Sequence, residues 1–420
     1  MFHHLKKFIP ASWLRAYHYF LARLAAVWYG HPSRRLIVIG VTGTNGKTTT
    51  AYLIAKALES SETKTGCTTS AIFKIGEREW LNDTKMTMPG RFFLQKMLRQ
   101  MVDAGCRYAV IETSSQGLIQ SRHIGIKYDI GVFTNLTPEH LEAHGGFENY
   151  KRAKRILFES VPTAVINADS PYGTYYAQTP GLKRIVWFGV EALSVKDIKL
   201  SEHGSTFRVQ NVEVSLSLPG RYNVENALAA LATSVACGID FTQAAARLAS
   251  VKQIPGRMER VNEGQPWTVI VDYAPEPESL RQMYQALTLI PHARIIHVLG
   301  SCGGGRDQLR RPILGQLAAQ NADVVIVTNE DPYDEDPEKI IDQVLEGAVA
   351  AGKILGQTAY RIIDRRQAIF KAMELAESND LVVMTGKGSE TWICGPHGSK
   401  TPWDEREVAR EGIRKRMSNV

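Results

Sequence analysis

The stretch GVTGTNGKTTT, Gly40 to Thr50, constrains this chain more than any other. It follows LIVIGV, an apolar and β-branched run that reads as a buried strand, and it opens a helix predicted from about Thr48 to Leu58. Gly43 and Gly46 let backbone N–H groups turn toward an anion. Lys47 can reach terminal phosphates, Thr48 can ligate Mg²⁺, and the helix N-terminus favours negative charge. A strict GxxxxGK[ST] match fails only at its first position, which is Val41. A ligand-free Gly-rich turn would account for the glycines but not for a Gly-Lys-Thr ending in this context. The loop is therefore expected to bind a nucleoside triphosphate through Gly43, Thr44, Asn45, Gly46, Lys47, Thr48 and Thr49.

The pattern after this loop is that of an α/β protein. RYAVIE, IGVFTN and TAVIN are further short strands, and a mostly polar β-leaning stretch runs from about Ile185 to Leu218. An Ala-rich helix follows in GRYNVENALAALATSVACG. A second series begins near Pro255, where WTVIVDY, RIIHVLG, ADVVIVT, TAYRIID and LVVMTG alternate with helical stretches. That alternation predicts a parallel sheet with ligands at the carboxyl ends of its strands. The expected division is an N-terminal helical element over 1–35, a P-loop ATP-binding domain over 36–254 and a Rossmann-like domain over 255–420.

Composition narrows the partners. Fifty Lys and Arg against 43 Asp and Glu leave a net charge of +7, which suits phosphates, but no arginine-rich arm or basic run points to nucleic acid. The five cysteines are scattered without a CxxC and read as reduced thiols of a cytoplasmic protein. No run approaches the ~18 apolar residues of a membrane span. In the N-terminal element, Leu14, Tyr17, Leu21, Leu24 and Trp28 recur at helical spacing, interrupted by Arg15, His18 and Arg23. Two readings stay open. The helix packs its stripe on the next domain, or it lies on a membrane surface with Trp13, Phe20 and Trp28 as anchors and Lys6 and Lys7 near lipid phosphates.

Several residues carry chemistry of their own. Glu112 ends RYAVIE, where a Mg²⁺-binding carboxylate would face the phosphates. His140 lies in PEHLEAH, whose alternating His and Glu are also consistent with a solvated segment. In NYKRAKRILF, Tyr150, Lys154 and Leu157 fall at i, i+4 and i+7, so Lys154 lies along the apolar face. Burial there would lower its pKa and leave an amine able to react with CO₂; a snorkelling lysine is the plainer alternative.

Taken in order, these stretches resemble the Mur ligases, ATP-dependent enzymes that add amino acids to peptidoglycan precursors. TGTNGKTT is similar to that family's phosphate loop and ETSSQG to its EVSSH segment. TNLTPEHLEAHGGFENYKRAKRILF resembles a segment of the tripeptide-synthetase (MurE-like) branch. GRYNVENALAAL, PGRME, VDYA, GGGRD, GKGSE and WDEREVAR follow in family order, so the resemblance spans roughly residues 36 to 415. It implies ATP and two Mg²⁺ ions, with Thr48, Glu112, His140 and a carbamylated Lys154 as metal ligands. It implies that Asn223 and Asn226 lie near the adenine, although Asn is also a common helix N-cap. Arg257 and Asp272 would reach ATP when the C-terminal domain closes, and Lys47, His140, Lys154, Arg257 and Asp272 form the catalytic set. Thr87, Ser114 and Arg122 match positions that contact a muramyl peptide. Arg306, Glu330, Asp331, Tyr333, Gly386 and Glu390 match the incoming amino acid's pocket. The implied reaction forms an acyl phosphate and then an amide, releasing ADP, on a cytoplasmic monomer.

The sequence also departs from the family. Gln116, Pro275 and Ser389 stand where the family has histidines, and Tyr333 replaces the arginine of DNPR that grips a distal carboxylate. The acidic loop TNEDPYDEDP shifts the expected amino acid toward a cationic side chain, L-lysine or another diamino acid. Only residues 1–35 precede the phosphate-loop strand, where the family has a uridine-binding domain, so this chain is expected to lack it. A non-UDP-linked acceptor (lipid-linked, cyanophycin-like or pseudomurein-like) and a nucleotide-binding scaffold without turnover remain as alternatives.

Overall fold

The computed structural model describes residues 11–418 other than His140 and Arg306, so the expectations on those two, and on Lys6 and Lys7, lie outside the described residues. The first sheet has eight strands: β1 (Ile37–Thr42), β2 (Lys64–Thr68), β3 (Ile72–Ile75), β4 (Arg78–Leu81), β5 (Cys106–Glu112), β6 (Ile130–Phe133), β7 (Thr163–Asn167) and β8 (Arg184–Phe188). Their order is β4-β3-β2-β5-β1-β6-β7-β8. The strands from β2 to β8 in that order run parallel, while β3 and β4 extend the edge as antiparallel hairpins. β1 is central and buried from Val38 to Thr42. A Cβ at Gly40 would come within 2.8 Å of Leu157 Cδ1 and 2.9 Å of the Tyr128 ring, so only glycine lets the helix Phe147–Phe158 pack this closely on β1.

Helices cover both faces. Lys47–Leu58 and Arg221–Ala236 build one apolar layer with Ile39, Val41 and Val110; Arg91–Asp103 and Phe147–Phe158 build the other with Val38, Ala109 and Ile111. Alternate strand residues thus feed opposite cores, as a doubly covered sheet requires. A small antiparallel sheet, β9 (Lys196–Ser201), β10 (Gly204–Val209) and β11 (Val212–Leu216), fills the predicted β-leaning stretch.

The second large sheet comprises β12 (Glu259–Arg260), β13 (Thr268–Val271), β14 (Ile295–Leu299), β15 (Val324–Val327), β16 (Ala359–Arg361) and β17 (Leu381–Met384), in the order β12-β13-β17-β14-β15-β16. All five strands expected in this series are present and parallel; only the short edge strand β12 is antiparallel.

The N-terminal helix, Ala11–Trp28, packs on the body, but through a different face from the one its large residues suggested. Ala22, Ala25 and Ala26 are fully buried, whereas Tyr17, Leu24 and Trp28 of the expected stripe are exposed. Small side chains allow the close approach: a Cβ on Gly125 would sit 2.7 Å from Ala26 Cβ.

Candidate active site

A cleft of about 540 Å³ opens at the carboxyl ends of β1, β5 and β13, lined by residues from both sides of the chain. Its floor is the phosphate loop. Gly46, at φ +77°, precedes the helix Lys47–Leu58, whose first turn has no side-chain cap. That leaves the positive end of the helix dipole facing the cleft. The loop is held from β6 and the segment after it: Thr44 N–H donates to Asn135 O at 2.9 Å, Asn45 N–H to Asn135 Oδ1 at 2.9 Å, and Thr134 Oγ1 to Asn45 O at 2.8 Å. A Cβ at Gly43 would lie 1.9 Å from Thr134 Oγ1. Lys47 Nζ donates to Thr44 O at 2.6 Å.

Beside the loop, the Thr48 hydroxyl donates to Glu112 Oε2 at 3.0 Å and shares a 2.7 Å hydrogen bond with Ser70 Oγ. Ser70 N–H donates to the same Glu112 oxygen at 2.7 Å. Both Thr48 and Glu112 are buried. A hydroxyl and a carboxylate at this spacing are the hard oxygen donors that Mg²⁺ takes.

Lys154 is 1% exposed, which decides between the two sequence readings: it does not snorkel. Its Nζ donates to Gly43 O at 2.6 Å and lies 4.2 Å from the Tyr150 ring centroid. Burial, reinforced by the Lys47 charge and only partly opposed by Glu139, holds its pKa well below the usual lysine range. Glu139, in PEHLEAH, is buried, and its Oε1 has no hydrogen-bond partner among the described residues. Burial and the nearby Glu276 charge push its carboxyl up to about 7, against the pull of Lys47 and Lys154.

The far side supplies Arg257, Asp272, Glu276 and Tyr273. Arg257 Nη2 donates to Thr48 Oγ1 at 3.2 Å, and its guanidinium stacks 4.7 Å from the Tyr273 ring centroid. Asp272, just after β13, accepts from Met258 N–H at 2.7 Å, which ties down the residue after Arg257, and from Ala274 N–H at 2.9 Å within its own turn. Burial raises its pKa although Arg257 pulls it down. Asn223 and Asn226 do not cap their helix, whose N-cap is Gly220. Asn226 instead accepts from Thr50 Oγ1 at 3.1 Å, and its Oδ1 would lie 2.3 Å from a Cβ on Gly46.

Thr87, Ser114 and Arg122 line the same cleft. Ser114 Oγ accepts from Gly117 N–H at 3.1 Å; Arg122 donates to Met88 O and, at 2.6 Å, to Gln120 Oε1. Gln116 and Pro275, which stand in histidine positions of the resemblance, also face the cleft. Ser389 is buried, with its N–H only 2.2 Å from where a Cβ on Gly256 would be.

The acidic loop divides: Asp334 and Asp336 form a solvated turn in which Asp336 caps the helix Pro337–Ala350, while its first two acids are buried. Glu330 and Asp331 are about as buried as the core. Glu330 accepts from Cys302 Sγ at 2.8 Å and backs onto Gly386, where any Cβ would meet Glu330 Oε2 at 2.3 Å. Tyr333 and Glu390 reach the cleft itself. Two lysines neutralise this cluster. Lys387 Nζ contacts Asp331 Oδ1 at 3.1 Å and Glu390 Oε2 at 2.8 Å. Lys85 comes from the opposite side of the cleft, pairs with Asp331, lies 3.1 Å from Glu390 Oε2 and donates to Trp392 O at 3.1 Å. Burial works against its charge, but Glu390 and Asp331 win and raise its pKa. Lys387 and Lys85 likewise outweigh burial and hold Asp331 low. Lys85, Ser70, Glu139 and Glu276 escaped sequence reasoning. Their partners are remote in the chain, and only Glu139 sits within a motif that could have flagged it.

A phosphate-binding strand–helix turn facing a second parallel α/β unit across a charged cleft defines an ATP-dependent ligase architecture. Residues 41–234 match the Mur ligase middle domain and residues 256–388 the Mur ligase glutamate ligase domain. The chain belongs to the Mur ligase family, ATP-dependent ligases that form peptide bonds and use ATP and Mg²⁺. It is 40% identical over 417 residues to a UDP-N-acetylmuramyl-tripeptide synthetase of Roseiflexus sp. (strain RS-1), covering 94% of this chain and 81% of that protein. It is 38% identical over 413 residues to a UDP-N-acetylmuramoyl-L-alanyl-D-glutamate–2,6-diaminopimelate ligase of Geobacillus kaustophilus, covering 94% and 82%. A solved structure of a ligase of the latter kind aligns with TM-score 0.60 at 30% identity, over 91% of this chain and 79% of that one. Folylpolyglutamate synthase of Mycobacterium tuberculosis, complexed with ADP and AMPPCP, shares the fold at TM-score 0.71 and 20% identity, over 88% and 92%.

Proposed function

We propose that this ligase extends a muramyl peptide by one diamino acid, L-lysine or a relative, through an acyl phosphate. The observation that carries the reading is the cleft in which the phosphate loop, backed by Lys154 on Gly43 O, and Arg257 meet Thr87, Ser114, Arg122, Tyr333 and Glu390. In this account residues 36–254 hold ATP and residues 255–420 close on it. Oxygen of the peptide carboxylate attacks the γ-phosphorus, the bond to the β-phosphate oxygen breaks, and ADP leaves. The amino acid's neutral α-amine then attacks the acyl carbon, inorganic phosphate departs with its bonding pair, and the amine's surplus proton passes to solvent. Lys47 and Arg257 lower the charge on the transferred group. Gly43, Thr44, Asn45, Gly46 and Thr49 position the phosphates, Asn223 and Asn226 flank the nucleotide base, and Asp272 orients Arg257 through the backbone N–H of Met258 that follows it.

Mg²⁺ held by Thr48 and Glu112 would neutralise phosphate charge. The low pKa of Lys154 favours the free amine, which adds CO₂ to form a carbamate and releases one proton; that anionic oxygen would serve a second ion with His140. The acidic pocket sets the amino-acid class: the distal ammonium of a diamino acid takes the place of Lys85 on Asp331 and Glu390. The test is a turnover assay with ATP, Mg²⁺, bicarbonate, UDP-muramyl dipeptide and a panel of amino acids, following ADP and product mass. Stoichiometric ADP with a product heavier by one diamino-acid residue supports the reading. ADP without amide, or a neutral amino acid preferred over lysine and diaminopimelate, contradicts it.

A further inference from the structure

We infer that the N-terminal helix is a docking surface for an anionic lipid bilayer. The helix Ala11–Trp28 is fixed to the body by its small residues, with Ala22, Ala25 and Ala26 buried against the helix Arg91–Asp103 and Gly125. This anchorage determines what faces outward. Trp13, Tyr17, Phe20, Leu24, Val27 and Trp28 are 74, 58, 64, 41, 61 and 74% exposed. They recur at steps of three and four residues, so they form one stripe along the helix. At 1.5 Å per residue the stripe is roughly 22 Å long. Single exposed apolar residues are ordinary, but a continuous row of six large ones signals a contact surface.

Its chemistry selects the occupant. Trp, Tyr and Phe side by side suit the boundary between headgroups and acyl chains, where a ring's apolar body and its polar edge are both served. The charge on and next to the stripe is mostly basic: the helix itself carries no Asp or Glu, Arg23, Arg34 and Arg35 are exposed, and the nearest acid, Asp103, is paired with Arg99. Arg23 donates to Tyr19 Oη at 2.9 Å, which holds its guanidinium on the flank of the helix. An apolar stripe with a predominantly basic border fits anionic headgroups above an apolar interior. A second copy of the chain fits less well, because a two-fold contact on this stripe would bring like charges together. Among the described residues no helix is long and apolar enough to cross a membrane, so the contact lies on the surface. The partner helix Arg91–Asp103 follows directly on Thr87 and Met88 of the cleft wall, so the docked face is one helix away from the site.

The test is co-sedimentation of the full chain with vesicles of phosphatidylcholine alone or with a third phosphatidylglycerol. The inference expects binding to the anionic vesicles that weakens with salt. The triple variant W13S/F20S/W28S should bind about tenfold or more weakly, and R23Q/R34Q/R35Q several-fold more weakly on anionic vesicles only. All six positions are exposed and outside the cleft, so both variants should keep the thermal transition and the ATP turnover of the parent. Three results overturn the inference: a chain that stays in the supernatant, sedimentation unaffected by the triple variant, or a dimer in ultracentrifugation that the triple variant abolishes.

Discussion

Two buried lysines on the phosphate-loop side of the chain, Lys154 behind the loop and Lys85 at the cleft wall, are treated in opposite ways. Lys154 is enclosed by Gly43 O, the Tyr150 ring and the charge of Lys47, with no salt bridge among the described residues, and its ammonium is disfavoured. Lys85 is nearly as enclosed, but it meets Asp331 and Glu390, and its ammonium is favoured. Burial is common to both; the difference is the partner. Where burial is only partly opposed, the lysine is held toward the free amine that the proposed carbamate requires, and where carboxylates compensate it, the lysine becomes a tether between the two halves of the chain. A lysine's chemistry here is thus determined by what surrounds it, not by depth alone.

The largest effect should come from removing the first lysine. Lys154→Ala is expected to lower turnover about 10³-fold, as loss of a metal-centred electrostatic element does, and short carboxylates added to the assay should restore part of the ADP release. Arg257→Ala should lower kcat about 10²-fold with little change in the melting transition, because Arg257 meets the phosphate-loop side at Thr48 while Asp272 keeps its own backbone donors.

Breaking the second lysine tests the other half of the comparison. Lys85→Met should cost about 1–3 kcal/mol in denaturant unfolding, because Asp331 and Glu390 lose one partner while Lys387 still faces both. The same variant should lower KM for lysine several-fold, since the tethered ammonium no longer competes; an unchanged KM would separate the tether from the amino-acid pocket. The pH dependence follows from the shifts. Asp331 is held below its ordinary value, so its contribution is present above about pH 4 and is lost as pH falls through the lowered pKa. The raised Lys85 contributes fully below its ordinary 10.5 and loses that only at still higher pH. The stability gap between parent and Lys85→Met should therefore be flat from pH 5 to 9 and close in acid.

The smallest effect sharpens the contrast. Because the folded state disfavours protonated Lys154, it binds fewer protons than the unfolded chain between the lowered pKa and 10.5, so its stability should rise with pH across that window. Lys154→Met, measured without bicarbonate or Mg²⁺, should lack that rise.

The phosphate loop, the five parallel strands after Pro255 and the position of Lys154 along the apolar face of its helix were legible in the sequence, because each rests on local spacing; that Lys154 is buried rather than snorkelling was not, since spacing alone allows both. The edge strands β2 to β4 were not, since KTGCT and IFKIGEREWL mix polar and apolar residues without a clean period. Lys85 could not be found, because its partner Asp331 lies 246 positions away. The N-terminal helix shows a subtler failure. Its period was readable, but the face that packs is the alanine face, where close approach outweighs side-chain size. Asn223 and Asn226 were separated from an N-capping role only by geometry, with Gly220 as the cap and Thr50 as Asn226's partner.

The most direct test of the contrast between the two lysines is carbon-13 NMR of the full chain equilibrated with ¹³C-bicarbonate and Mg²⁺. The account predicts one protein-bound carbamate resonance that persists in Lys85→Met and is absent from Lys154→Met. No carbamate signal at any bicarbonate concentration, or one that survives Lys154→Met, would contradict it.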